Sequence, residues 1–315
     1  MLEVQNISYS YEASKQTLFD ISFKANRGDY IALVGESGCG KSTLLEIIYG
    51  LIHVEKGEVF WDKTKLLGPN FYLIPGEHFM KYLPQDFNLM PYITVEENVG
   101  KHLSYRDPKR QSRIDELLEV VDMTAFKKTK VKNLSYGQKQ RIAIAKVLAK
   151  LPEVVLLDEP FSNIDNFRKN KLRRNLFNYL KSKNILTFVA THDATDALSF
   201  ADQILVMKDG EIVTQDTPNN LFSDPPNAYS AALFDEVNKV PSQLLDSNSK
   251  EELLFYPHQI KVNEKAKNKA TVVQSYFKGT HYLIEATFNS MTIYFNHHKS
   301  LEKDVVVDIE FIAPL

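Results

Sequence analysis

Nine residues, 35–43, read GESGCGKST and stand between an apolar run, Tyr30–Val34, and a stretch at 44–50 whose apolar spacing predicts an amphipathic helix. Gly-x-x-x-x-Gly-Lys-Ser with a strand before it and a helix after it is a phosphate-binding loop. Gly35, Gly38 and Gly40 let the backbone curl so that successive N–H groups converge on phosphate oxygens. The helix N-terminus adds a fixed positive dipole at the same spot. Ser37, Cys39 and Thr43 complete the loop. Lys41 supplies the charge that reaches the β- and γ-phosphates, and the Ser42 hydroxyl is placed to ligate Mg2+. The chain is therefore expected to bind a nucleoside triphosphate, and this part of it is committed to a strand–loop–helix unit.

At 315 residues there is room for two domains. The 40 acidic and 38 basic side chains nearly cancel, leaving a net charge of −2, which argues against a nucleic-acid partner. The single cysteine, Cys39, excludes an internal disulfide and fits a reducing compartment. The chain opens directly on a strand pattern, LEVQNISYSY, with no basic-then-apolar leader, and its apolar runs are too short to cross a bilayer. A cytoplasmic location is expected, with any membrane association made through a partner.

Residues 2–24 alternate in two short stretches around a polar turn, the pattern of an antiparallel hairpin. Strands are expected near 59–62 and 79–83, and helices dominate residues 86–150. There Ile114, Leu117, Leu118 and Val121 recur at i, i+3, i+4 and i+7. VVLLD at 154–158 is a continuous apolar run, as in a central parallel strand buried on both faces. A helix bearing Leu172, Leu176 and Leu180 follows, then a strand at 185–190 and a hairpin turning at Asp209-Gly210. Strands alternating with helices predict an α/β domain with a parallel sheet, residues 1–237. A polar segment with Pro241, residues 238–251, reads as a linker. Beyond it, β-rich stretches at 270–277, 282–288, 292–295 and 305–312 predict a small all-β barrel or sandwich, residues 252–315.

The phosphate loop is joined by further motifs in a fixed order, and together they resemble the ATP-binding subunit of an ABC transporter. The apolar run ending in Asp158-Glu159-Pro160 looks like the Walker B segment. The resemblance assigns metal binding to Asp158, with Ser42 and Gln85, and activation of the attacking water to Glu159. LSYGQ, residues 134–138, resembles the signature motif. Ser135, Gly137 and Gln138 are thereby expected to bind the γ-phosphate of ATP held by a second copy. Tyr136 departs from the common first glycine there. Gln85 in YLPQDF matches the Q-loop glutamine, and the segment after it resembles the surface that grips a permease. His192 matches the switch histidine, a catalytic partner of Glu159, Gln85 and Lys41. FSNID looks like the D-loop, in which Asp165 would help join two subunits. Tyr11 aligns with the aromatic that stacks on adenine, with Tyr9 a neighbouring candidate.

The resemblance implies the α/β fold of an ABC-type P-loop NTPase, a parallel-core sheet with an antiparallel β part and a helical part. It also implies an ATP hydrolase that uses ATP and Mg2+ as a head-to-tail homodimer. Its partners would be integral-membrane permease subunits on the cytoplasmic face and, indirectly, an extracytoplasmic solute-binding protein. The C-terminal stretches FYPHQIKV and VVQSYFKG resemble the OB-like (TOBE-like) extension of bacterial importers for oxyanions, polyamines, ferric iron or sugars, shortened here to about half. Alternatives are a non-transport ATPase of the same superfamily, a nucleotide-dependent regulatory module, and an exporter. The absence of a second ATPase domain or a long coiled coil, the presence of Glu159, and the C-terminal extension weigh against these in turn.

Overall fold

The structure is a computed structural model that describes residues 1–12, 15–245 and 251–314. It divides into two compact units, Met1–Pro218 and Asn219–Leu315.

In the first unit, β1 (Leu2–Glu12) and β2 (Lys15–Ala25) form the expected antiparallel hairpin. β3 (Tyr30–Val34) runs into α1 (Lys41–Tyr49) through the phosphate loop. This helix begins earlier than its apolar residues suggest. Lys41 opens it, and Gly50, at φ 83°, is the left-handed cap that ends it. β4 (Lys56–Trp61) and β5 (Thr64–Leu66) join the hairpin in a four-stranded sheet of order β2-β1-β4-β5. Trp61 ends β4 buried, its ring stacked on Phe79 and covered by the Arg27 guanidinium at 4.6 Å.

After β6 (Met80–Leu83) come the helical elements α2 (Val95–Val99), α3 (Arg110–Val120) and α4 (Tyr136–Leu148). Then follow β7 (Val154–Asp158), α5 (Asn166–Ser182), β8 (Leu186–Ala190), α6 (Ala194–Phe200), β9 (Gln203–Lys208) and β10 (Glu211–Asp216). These build a second sheet of order β10-β9-β3-β8-β7-β6, parallel except for the β9–β10 hairpin. Its turn is Asp209-Gly210, with φ of 48° and 85°, the primed geometry an Asp-Gly pair favours.

The two-residue period of a strand sends alternate side chains into two cores. Leu156, Phe188 and Leu205 pack with α1 and the antiparallel sheet, while Val155, Leu157 and Val189 pack with α3, α4 and α5. Both faces of the sheet are therefore covered, and each fully buried Leu or Val contributes about 1.5–3 kcal/mol. Parallel strands all point their C-terminal ends the same way, so the loops after β3, β6, β7 and β8 emerge along one edge.

In the second unit, α7 (Pro218–Ser223) leads in from the first, followed by α8 (Ala228–Ala232). The division at 218 falls earlier than the domain boundary expected at 237, because these residues pack with the β domain. Phe222 stacks on Tyr256 with ring centroids 4.7 Å apart, and the buried Tyr256 hydroxyl donates to the Ala231 carbonyl at 3.2 Å.

The segment expected as a linker is partly ordered β structure. β11 (Asn238–Pro241) pairs antiparallel with β12 (Glu252–Phe255), anchored by the buried Asn238 amide bonding to the backbone of Tyr294. Residues 246–250 of that segment lie outside the described residues. β13 (Ile260–Val262), β14 (Asn268–Phe277), β15 (Tyr282–Phe288), β16 (Met291–His297) and β17 (Val306–Phe311) form an antiparallel sheet of order β13-β17-β14-β15-β16. Its two edge strands approach within 8 Å at their Cα atoms, so the sheet curls into an OB-like half-barrel around Phe255, Ile284, Phe288 and Phe295.

Candidate nucleotide site

The edge formed by the C-terminal ends of the parallel strands carries a cleft of about 920 Å³. Eleven residues singled out in the sequence line it: Tyr11, Ser37, Gly38, Gly40, Lys41, Ser42, Thr43, Gln85, Asp158, Glu159 and His192. Gln16, Thr17, Asp209 and Gly210 complete the wall, contributed by β2 and by the β9–β10 turn. Sequence reasoning gave these four no role at the site, since only the folded hairpins bring them to the loop.

Two points of the loop require glycine. Gly40 adopts φ 104°, a conformation L side chains rarely take, and a Cβ on Gly35 would lie 2.2 Å from the Met207 carbonyl oxygen. Gly35 and Cys39 do not line the cleft. Cys39 is buried in the core beneath the loop. The Cys39 side chain thus serves packing, and any contact it makes with phosphate is through its backbone N–H. Its Sγ lies 3.6 Å from the Lys41 ammonium, which also donates to the carbonyls of Gly35 and Glu36 at 2.8 and 2.9 Å.

Asp158 ends β7 almost fully buried, beside the hydroxyls of Ser42 and Tyr82. Burial raises its pKa above the ordinary aspartate value, and the Ser42 hydroxyl and Lys41 charge oppose that rise. Glu159 follows at φ 49°, a left-handed conformation that a bulky residue adopts only where the surroundings enforce it. Its N–H is tied to the Ala190 carbonyl at 3.0 Å, and its carboxylate meets His192 Nδ1 at 2.9 Å. The geometry couples Glu159 and His192 directly. Tyr11 reaches the cleft with its ring edge-on to Tyr9 and its hydroxyl 3.2 Å from Thr43 Oγ1, whereas Tyr9 packs toward the core. Between the two aromatics, the cleft belongs to Tyr11.

Ser135, Gly137, Gln138 and Asp165 are not part of this cleft. Ser135 and Gln138 instead close a capping box on α4: Ser135 Oγ accepts the Gln138 N–H, and Gln138 Oε1 accepts the Ser135 N–H. Gly137 lies against residues 163–164, where a Cβ would stand 2.5 Å from the Asn163 carbonyl oxygen. Asp165 precedes α5 as its N-cap residue, exposed and without a side-chain capping bond.

Two supporting groups had no sequence signature. The buried Gln140 donates to the Glu159 carbonyl at 2.8 Å and accepts from the Asn163 N–H at 3.1 Å, so α4 braces the turn that carries Glu159. Arg173 on α5, also buried, pairs with Asp193 at 2.6 Å and with the buried Asp196 at 2.5 Å, while Lys169 reaches Asp193 at 2.7 Å. Burial would raise the Asp193 pKa, but Lys169 and Arg173 outweigh it and hold the carboxyl far below the usual range. Asp193 directly follows His192, so this cluster fixes the backbone beside His192.

Arg173→Met removes one member of a buried ion cluster and is expected to destabilise the protein by about 3–5 kcal/mol in urea unfolding. The Asp193 pKa is depressed on folding, so its contribution is full above the unfolded value and is lost as pH falls through the folded one. The gap between variant and wild type should therefore narrow as pH drops below about 4.

The chain matches the family model described as ABC transporter over residues 18–162. It is 32% identical over 252 residues to the Fe(3+) ions import ATP-binding protein FbpC of Haemophilus influenzae, covering 79% of this chain and 72% of that protein. It is 33% identical to the spermidine/putrescine import ATP-binding protein PotA of Thermotoga maritima, covering 78% of this chain and 66% of that one. The fold superposes on a dimeric ATP-binding cassette in a post-hydrolysis state bound to ADP and Pi, with TM-score 0.61 and 29% identity over 69% of this chain and 99% of that one.

Proposed function

Because this chain belongs to the ATP-binding, ATP-hydrolysing subunits of ABC transporters, we propose that two copies close head-to-tail over two ATP molecules and drive uptake of a small solute through a separate membrane permease. One observation carries the head-to-tail reading. The cleft gathers the phosphate loop, Asp158, Glu159, His192 and Gln85, while Ser135, Gly137 and Asp165 stand elsewhere on the same copy. A second copy is what brings a helix N-terminus capped by Ser135 to the γ-phosphate. The solved cassette with ADP and Pi is itself dimeric.

Within each cleft, Lys41 and the loop N–H groups hold the phosphates, and Tyr11 offers its ring to the base. Glu159 takes the proton of the attacking water, with His192 fixing its carboxylate and touching the γ-phosphate. Ser42, Gln85 and Asp158 supply the oxygen donors that suit Mg2+, an ion held by few carboxylates together with water and substrate phosphates. Among the described residues no group of three His, Cys, Asp or Glu could hold a metal by itself. When bound, Mg2+ neutralises charge on the phosphates. Loss of the γ-phosphate removes the link between the two copies, and they open.

No helix among the described residues is long and apolar enough to cross a membrane. The proposal places the permease on a separate chain, with this subunit docked on its cytoplasmic face. The two relatives named above carry Fe(3+) and spermidine/putrescine in their names, which supports import. Ferric iron, polyamine, oxyanion and sugar remain the solute classes to test, with an extracytoplasmic binding protein as the donor. The direct test traps the Glu159→Gln variant with ATP in solubilised membranes of its native cells. Co-purification of a multi-span permease is the expected result. Ribosomes, DNA or no membrane protein would overturn the transport reading while leaving the ATPase intact.

A further inference from the structure

Tyr136 stands where the signature motif commonly has glycine, and its ring packs on Phe87 with centroids 4.8 Å apart at 52°. Phe87 lies two residues after Gln85, which lines the nucleotide cleft. The chain from 87 to 90 is fastened to the helical elements. Lys146 on α4 donates to the Asn88 carbonyl, and the buried Asn98 of α2 exchanges hydrogen bonds with both backbone groups of Met90. Gln85 is thus the joint between β6 of the sheet and a segment carried by α2 and α4. At its other point of contact, α4 braces the Glu159 carbonyl through Gln140. One helix, α4, therefore touches Phe87 and Asn88, two and three residues beyond Gln85, as well as Glu159, and its exposed N-terminus carries Ser135 and Tyr136.

We propose that Tyr136 is a positioning residue that sets Gln85 through Phe87, so that engagement of the α4 N-terminus by a second copy is transmitted to the catalytic cleft of the same chain. The proposal rests on the head-to-tail reading above. Tyr136 is half exposed, which leaves its outer face free to meet a second copy while its inner face holds Phe87. A glycine at this position has no side chain to make that link.

The test is a set of steady-state ATPase measurements on the full chain. Tyr136→Ala and Phe87→Ala are each expected to lower kcat about tenfold with KM for ATP changed by less than about twofold. Tyr136→Phe keeps the ring and should restore kcat. The double variant should lose about tenfold in total, not the roughly hundredfold of independent effects. In a Gln85→Ala background, adding Tyr136→Ala should change kcat by less than about twofold. Multiplicative losses, the same tenfold loss without Gln85, or no loss at all would each overturn the proposal. Thermal unfolding of the variants identifies any loss that comes from folding. If the copies do not assemble, wild-type specific activity will not depend on protein concentration; that overturns the dimer and leaves the cycle to judge the coupling.

Discussion

Glu159→Gln is expected to bind ATP as tightly as wild type and to hydrolyse it about 10²–10⁴-fold more slowly. The amide keeps the shape of the carboxylate and its hydrogen bond to His192, 2.9 Å away in wild type, but it cannot accept the water proton. With the γ-phosphate intact the two copies should stay closed, so size-exclusion chromatography with ATP should show a long-lived dimer. Adding ADP in place of ATP should give monomer. Turnover near wild type would mean that another group is the base, and the contact with His192 would then be structural.

Lys41→Ala should act at the earlier step. Lys41 is almost fully buried and its ammonium is the one cation inside the loop among the residues lining the cleft, held by the carbonyls of Gly35 and Glu36. Removing it leaves the phosphates facing backbone N–H groups alone. Hydrogen bonds to charged groups contribute about 1.5–3 kcal/mol, so ATP affinity should fall by about tenfold to a hundredfold, with turnover lost alongside. Equilibrium titration with a fluorescent ATP analogue measures the first and phosphate release the second. Unchanged affinity would show that the loop N–H groups and helix dipole carry binding by themselves. The two variants separate the roles: Glu159→Gln traps a complex that Lys41→Ala cannot form.

The chemistry of the cleft was legible because its parts are local in sequence. A phosphate loop needs consecutive residues in one order, and Asp158-Glu159 and His192 sit at or just beyond the ends of strands that read as strands. Tyr11 was ambiguous with Tyr9 because both lie on one strand two residues apart and so on one face. Their exposure separates them only in the folded hairpin. The strand Asn238–Pro241 was read as linker because its polar residues mask a pattern in which Asn238 and Val240 alone turn inward.

What the sequence by itself determined is the set of local motifs: the glycine-rich loop with its lysine, the paired carboxylates Asp158 and Glu159, and where the strands that carry them end. Tertiary structure decided which of those residues face the cleft and what holds them there. It turned Cys39 into the core, brought Gln140 beneath Glu159, set Arg173 against Asp193, and laid Tyr136 on Phe87. The reason is physical. Each of those contacts joins residues that share no turn or strand, so no local period encodes them. They exist only once parallel strands have aligned their C-terminal ends and helices have packed across both faces of the sheet.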